Sequence, residues 1–241
     1  MNLKDKTKKR IFLILLLLAV LQFPIVIFFA NTKALAFDQS FHEKEFSRYN
    51  PNVEDRSAIT GNLIFYLRYR NADRSYITAF TKEEKAHLIE VKILMHRFLN
   101  MMYISMTLLI ASVLILSVMD KKRALKRIAA SSVLGGCFTL FCSLIFYLIV
   151  ITDFDAAFTK FHHIFFRLGN WQFPPEYLLV TLYPAQFWTD IISRIMSNVL
   201  ITTAFVIILG ILLFWLYLYK EKKATKFFRN KEGIIYKIKN Y

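Results

Sequence analysis

Four uninterrupted apolar stretches, residues 11–30, 99–119, 128–151 and 195–219, constrain this chain more than any other feature. At 1.5 Å per residue each reaches about 30 Å or more as a helix, enough to cross the hydrocarbon of a bilayer. No water satisfies peptide groups inside that layer, so stretches of this length cross as α-helices. The sequence therefore predicts an all-α polytopic membrane protein with four transmembrane helices, read as one integral domain over 1–241. A 56% hydrophobic composition is too apolar for one soluble core of 241 residues.

Charge sets the orientation. The chain carries a net charge of +15, and residues 1–10, 120–127 and 220–241 together hold 18 Lys or Arg against 4 acidic residues. The remainder is close to neutral, with 14 basic and 13 acidic residues. Basic residues flanking spans mark the cytoplasmic side, which predicts both termini and the 120–127 loop inside. Some of these cations are expected at anionic headgroups of membrane lipids. No nucleic-acid motif accompanies the charge, so a nucleic-acid partner is not expected.

Lys8-Lys9-Arg10 before the first stretch and Ala34-Leu35-Ala36 after it resemble a secretory signal, but the apolar run is too long for a signal core. A retained first span is expected. Cys137 and Cys142, five residues apart within the third span, cannot form a sensible disulfide and are expected to pack as small apolar groups.

Four spans with both ends inside leave two outer segments, 31–98 and 152–194, and all five histidines fall in them. In the first, Ser57 or Thr60 is a candidate cap for a short helix through Leu63, Tyr66 and Leu67, and Asn71-Ala72-Asp73 reads as a turn. Thr81-Lys82-Glu83-Glu84 is a capping-box pattern. No Gly or Pro follows it before Met119, so the second span is predicted to begin as an extension beyond the membrane. His87 sits on that extension with Glu90 on the same face, one turn on.

The second outer segment is aromatic, with ten Phe, Tyr or Trp between residues 158 and 188, and is expected at the outer leaflet. Gly169-Asn170 and Pro174-Pro175 break it into short pieces, and Pro184 precedes the fourth span. Its hexapeptide Phe161-His162-His163-Ile164-Phe165-Phe166 puts two groups that titrate near neutrality among aromatics at a lipid boundary, a place to look for chemistry on lipid-linked substrates. Neighbouring residues on a helix face different ways, so at most one of His162 and His163 meets His87. The chain has no His-Glu-x-x-His, Gly-x-Ser-x-Gly, Cys-x-x-Cys or phosphate-loop motif. A metal set of His87, Glu90 and His162 or His163 has suitable ligand types without tight spacing, and no metal is expected. A metal-dependent membrane hydrolase and a non-catalytic accessory subunit docking through its aromatic loop stand as alternative functions.

The hexapeptide followed by Trp171, Leu178-Leu179 and Tyr183-Pro184-Ala185-Gln186-Phe187-Trp188 resembles the second outer loop of the lipoprotein intramolecular transacylases, four-span bacterial membrane proteins. Phe80-Thr81-Lys82-Glu83-Glu84 leading to His87-Leu88-Ile89-Glu90-Val91-Lys92 resembles the family's stretch before its second span. Two positions depart from the pattern. Glu90 stands where the family carries Asp, and His163 where an acidic residue is commoner.

The resemblance implies acyl transfer within one substrate, a diacylated bacterial lipoprotein, in the bacterial cytoplasmic membrane with the active site on the extracellular side. The sn-2 acyl chain moves from its ester to the free α-amino group of the same cysteine, leaving a lyso-form lipoprotein. An amide is more stable than an ester, so no cofactor is expected. Two histidines suit the chemistry, with His162 as general base and His87 as acid or oxyanion stabiliser, and direct attack of the amine and a transient acyl-imidazole both fit the sequence. Glu90 and His163 are supporting candidates, and Phe161, Phe165, Phe166 and Trp171 are candidates for the acyl-binding wall.

Overall fold

The computed structural model describes residues 3–166 and 171–239, and the side chains within 6–166, 171–223 and 225. The expected break at Gly169-Asn170 lies outside the described residues. Helices run in the order α1 (Leu3–Ala36), α2 (Gln39–Tyr49), α3 (Arg56–Arg68), α4 (Lys82–Met119), α5 (Ala124–Thr152), α6 (Phe154–Phe165), α7 (Leu178–Leu182) and α8 (Ala185–Lys239). Short 3-10 turns stand at Arg74–Ile77 and Lys121–Arg123. No strand occurs among the described residues.

Helices α1, α4, α5 and α8 are long and apolar enough to cross a membrane. Their outward faces carry large apolar side chains that only lipid can cover, such as Val118 and Ile201, each 69% exposed. The 38 residues of α4 span about 57 Å, nearly twice the hydrocarbon thickness. Its first turns hold Lys82, Glu83, Glu84, Lys85, Glu90, Lys92 and Arg97, whereas 98–119 carries no charge. The uncharged part of the helix is thus 98–119, and His87 lies about 18 Å before Leu99 along the axis.

The chain divides into two compact units. The first comprises 1–24, 106–140 and 202–241. Here α5 packs through glycine. A Cβ on Gly135 would lie 2.1 Å from Phe23, and one on Gly136 2.4 Å from Ile207, so helix backbone meets side chain where any other residue would collide. The buried hydroxyls of Thr139 and Ser131 return to their own helix, Thr139 Oγ1 donating to the Gly135 carbonyl at 2.8 Å and Ser131 Oγ to the Arg127 carbonyl at 2.9 Å. Arg127 donates to the Leu116 carbonyl at 2.8 Å and lies 3.6 Å from Asp120, which closes the α4–α5 turn. Cys137 is exposed and Cys142 half-buried, both free; Cys137 faces outward rather than packing inward, because Gly136 beside it takes the inner face.

The second unit comprises 25–105 and 141–201. Its core gathers Phe46, Leu63, Ile77, Phe80, Leu182 and Phe187, each under 5% exposed. Helix α2 is pinned to the start of α8 by Asp190, which accepts from Arg48 at 3.1 Å and from the Tyr49 hydroxyl. Helix α3 begins earlier than its candidate caps suggest. Asp55, in the left-handed region at φ 53°, turns the chain into the helix, and its carbonyl accepts the Ile59 N–H. Ser57 and Thr60 lie inside α3, and the Ser57 hydroxyl donates instead to Glu43 of α2 at 2.6 Å. The capping box forms, with the Thr81 N–H donating to Glu84 Oε2 at 2.8 Å and the Glu84 N–H to Thr81 Oγ1 at 3.3 Å.

Candidate active site

Asp153 caps α6, its carboxylate accepting the Ala156 N–H at 2.9 Å. From that start Phe154, Phe158, Phe161, His162 and Phe165 recur at helical spacing along one stripe. His162, 7% exposed, is enclosed by rings, with centroids 4.1 Å from Phe158, 4.6 Å from Trp171, 5.1 Å from Phe166 and 5.4 Å from Phe161. Its Nδ1 lies 2.7 Å from the Phe158 carbonyl. A carbonyl only accepts, so Nδ1 carries the proton and Nε2 keeps its lone pair. Burial pushes the His162 pKa below its ordinary value; the Phe158 carbonyl opposes that, and His163 adds to it.

His87, 6% exposed on α4, lies opposite. Its ring centroid is 6.0 Å from that of His162 with the planes 24° apart, and Phe166 at 4.7 Å and Phe173 at 5.7 Å cover it. Burial, with a smaller contribution from neighbouring His162, pushes His87 down to about 4. Both imidazoles are therefore neutral at pH 7. His87 Nδ1 has no hydrogen-bond partner among the described residues.

The other sequence-predicted residues divide. Glu90 sits one turn from His87, but its buried Oε2 makes no hydrogen bond with any described residue, including His87. Burial and His162, rather than Glu90, account for the lowered His87 pKa. His163 turns away, is exposed, and meets Trp171 edge-on at 5.7 Å. Phe166 is 4% exposed between the two histidines, and Trp171 covers His162. Phe161 and Phe165 lie at the surface, about 40% exposed, and begin a file of rings. It runs from Phe165 to Phe98 at 5.5 Å, to Phe29 at 4.9 Å, to Phe28 at 5.9 Å and to Phe146 at 5.3 Å. Among the described residues no three His, Cys, Asp or Glu side chains converge as a metal site.

Phe158, Phe173, Phe98 and Phe29 were not singled out by the sequence. Phe158 was accessible, since i−4 from a helical histidine is where its ring finds a backbone carbonyl. Phe173, Phe98 and Phe29 were not, because tertiary packing alone brings them there. A cleft of about 430 Å³ in the same unit is walled by Ala30, Ala34, Phe37 and Met102, with Lys33 and Arg68 at its lining.

Such a pair of neutral, buried imidazoles can accept one proton and donate another without metal or cofactor chemistry entering. Several known proteins resemble this chain. A solved lipoprotein intramolecular transacylase Lit from Bacillus cereus superposes with a TM-score of 0.70 over 90% of this chain and 99% of its own, at 19% identity. A variant of that protein with one histidine replaced by alanine gives 0.71, covering 92% and 99%. These share the fold. An uncharacterized protein of Aquifex aeolicus (strain VF5) is 26% identical over 235 residues, 89% of this chain and 96% of the relative. The profile of the lipoprotein intramolecular transacylase family, Lit, matches residues 10–188, and the chain belongs to that family of membrane enzymes.

Proposed function

We propose that this multi-pass membrane transacylase moves the sn-2 acyl chain of an S-diacylglyceryl-cysteine lipoprotein to the α-amino group of the same cysteine. The observation that carries this reading is the buried pair of rings, 6.0 Å apart, with one tautomer set by helix backbone. The substrate's α-ammonium has a pKa near 8 and is mostly protonated at pH 7. His162 Nε2 takes that proton, and the freed amine attacks the ester carbonyl carbon. The C–N bond forms as the carbonyl becomes an oxyanion. His87, neutral, donates its ring N–H to the oxyanion, as an imidazole held far below its ordinary pKa does best. On collapse the bond to the glycerol oxygen breaks and the His162 imidazolium returns the proton to that oxygen. The nitrogen of the intermediate still carries one proton too many and releases it to water as the amide forms, so ammonium and ester give an amide, a free sn-2 hydroxyl and one released proton.

Holding amine and ester of one molecule in a reactive conformer contributes roughly 7–11 kcal/mol. The ring file from Phe165 to Phe146 supports a course for the acyl chains toward the hydrocarbon, and Glu90 Oε2 is an acceptor for the α-ammonium. The charge pattern supports a site on the extracellular side of a bacterial cytoplasmic membrane, with both termini inside and the chain acting as one integral domain. The test is purified protein in liposomes with a synthetic diacylated lipopeptide, followed by mass spectrometry. Wild type is expected to give the N-acylated lyso product, and His162→Ala and His87→Ala each to lose about 10²–10⁴-fold in rate. Unchanged conversion by His162→Ala would sink the assignment. A stoichiometric partner with no activity in the pure protein would favour an accessory role instead.

A further inference from the structure

Glu84 is fully buried, 0% exposed, yet its carboxylate is paired with backbone groups rather than with a cation. One oxygen accepts the Thr81 N–H and closes the capping box of α4. The other crosses to the second outer segment and accepts the Leu179 N–H at 2.6 Å, joining residues 95 apart in sequence. A capping box needs only the first bond. The second fixes α7, and α7 terminates the irregular stretch 171–177 that covers the histidines. In that stretch Trp171 lies on His162 and Phe173 on His87. Phe173 in turn stacks on Tyr177 at 5.8 Å, and the Tyr177 N–H donates to the Pro174 carbonyl, so the stretch is tied internally as far as α7. Glu84 precedes His87 by one turn of α4. One carboxylate thus fastens the helix carrying His87 to the strap that roofs both rings.

We propose that Glu84 is a positioning residue that holds residues 171–177 over the histidine pair and so keeps water from competing with the α-amine. This rests on the transacylase reading and extends it. With the roof loosened, water reaches His162 Nε2 and competes with the amine for the ester, the imidazole acting as its general base. Water oxygen then attacks the sn-2 carbonyl carbon, the glycerol C–O bond breaks, and the products are a free fatty acid and a lysolipopeptide with a free amine. The proton taken from water returns to the glycerol oxygen, so this branch also balances. A merely structural role for Glu84 lowers stability and total rate without changing where the acyl group goes.

The experiment measures free fatty acid against N-acylated product in liposomes for wild type, Glu84→Gln, Phe173→Ala and Thr81→Ala. Glutamine keeps one acceptor oxygen and faces the other N–H with a donor. Phe173→Ala opens the roof from the opposite side at a half-exposed residue and reports even where Glu84→Gln does not accumulate. The expected result is a hydrolysis-to-transfer ratio raised at least tenfold in Glu84→Gln and Phe173→Ala and unchanged in Thr81→Ala. An unchanged ratio in Glu84→Gln, whatever its total rate, overturns the inference, as does an unchanged ratio in Phe173→Ala. Wild type that makes no N-acyl product defeats the transacylase reading itself, a separate outcome.

Discussion

Lowering the pH separates the proposed proton path from its simplest rival. If the α-ammonium loses its proton to water before attack, the reactive amine falls about tenfold per pH unit below its pKa near 8, roughly a hundredfold between pH 7.5 and 5.5. If His162 takes the proton, the working state is neutral imidazole plus ammonium, which dominates from about pH 8 down to the His162 pKa. Were that pKa the ordinary 6.5, the neutral fraction would fall from about 0.9 to about 0.09 over the same window, a tenfold loss. Burial beneath Phe158, Trp171 and Phe166 places it lower, so the expected loss is less than tenfold. His87, held at about 4, stays more than about 95% neutral at pH 5.5 and contributes no inflection in this window. Initial rates of N-acyl formation in liposomes would be read by mass spectrometry, with acid-exposed protein returned to pH 7.5 to confirm full recovery. A hundredfold, unit-slope decline, or an inflection at or above 6.5, would refute the reasoning.

Two further outcomes test the fold. Gly135→Ala places a methyl group against the Phe23 ring where 2.1 Å separates the two positions, so overpacking is expected to cost about 1–3 kcal/mol, read as a lower thermal midpoint in detergent. The buried histidines should also make stability acid-sensitive. His42, His87 and His162 all have folded pKa values depressed below the unfolded 6.5, so their stabilisation is complete above 6.5 and is lost as pH falls through the folded values. The drop for His87, from 6.5 to about 4, corresponds to about 3 kcal/mol, and His87→Gln should flatten the fall in thermal midpoint between pH 6.5 and 4.5. An equally steep fall in that variant would count against the neutral buried ring.

The four membrane-length helices were legible because bilayer thickness fixes the length of an apolar run, which needs no tertiary information to be recognised. The division between His162 and His163 was legible too, since a helix turns about 100° per residue and sends neighbours to different faces. Thr81 and Glu84 announced a helix start by spacing alone. What spacing could not give was the other half of Glu84, because nothing local selects the Leu179 N–H as its partner. The protonation state of His87 was likewise hidden, since its desolvation comes partly from Phe166 and Phe173, far from it in sequence. Asp55 as the start of α3 was missed because a left-handed residue entering a helix leaves no repeating pattern.

The hydrogen bond from His162 Nδ1 to the Phe158 carbonyl gives the proposed base an unusual form of mutational robustness. In many acid–base sites a carboxylate side chain selects the tautomer, and one substitution removes it. Here the acceptor is a peptide oxygen, present whatever residue occupies position 158, so the orientation of the lone pair is inherited from the helix rather than from a neighbour's identity. Selection is thereby relaxed on an acidic partner, and a chain with histidine at 163 can retain the same proton chemistry so long as α6 keeps its last turn.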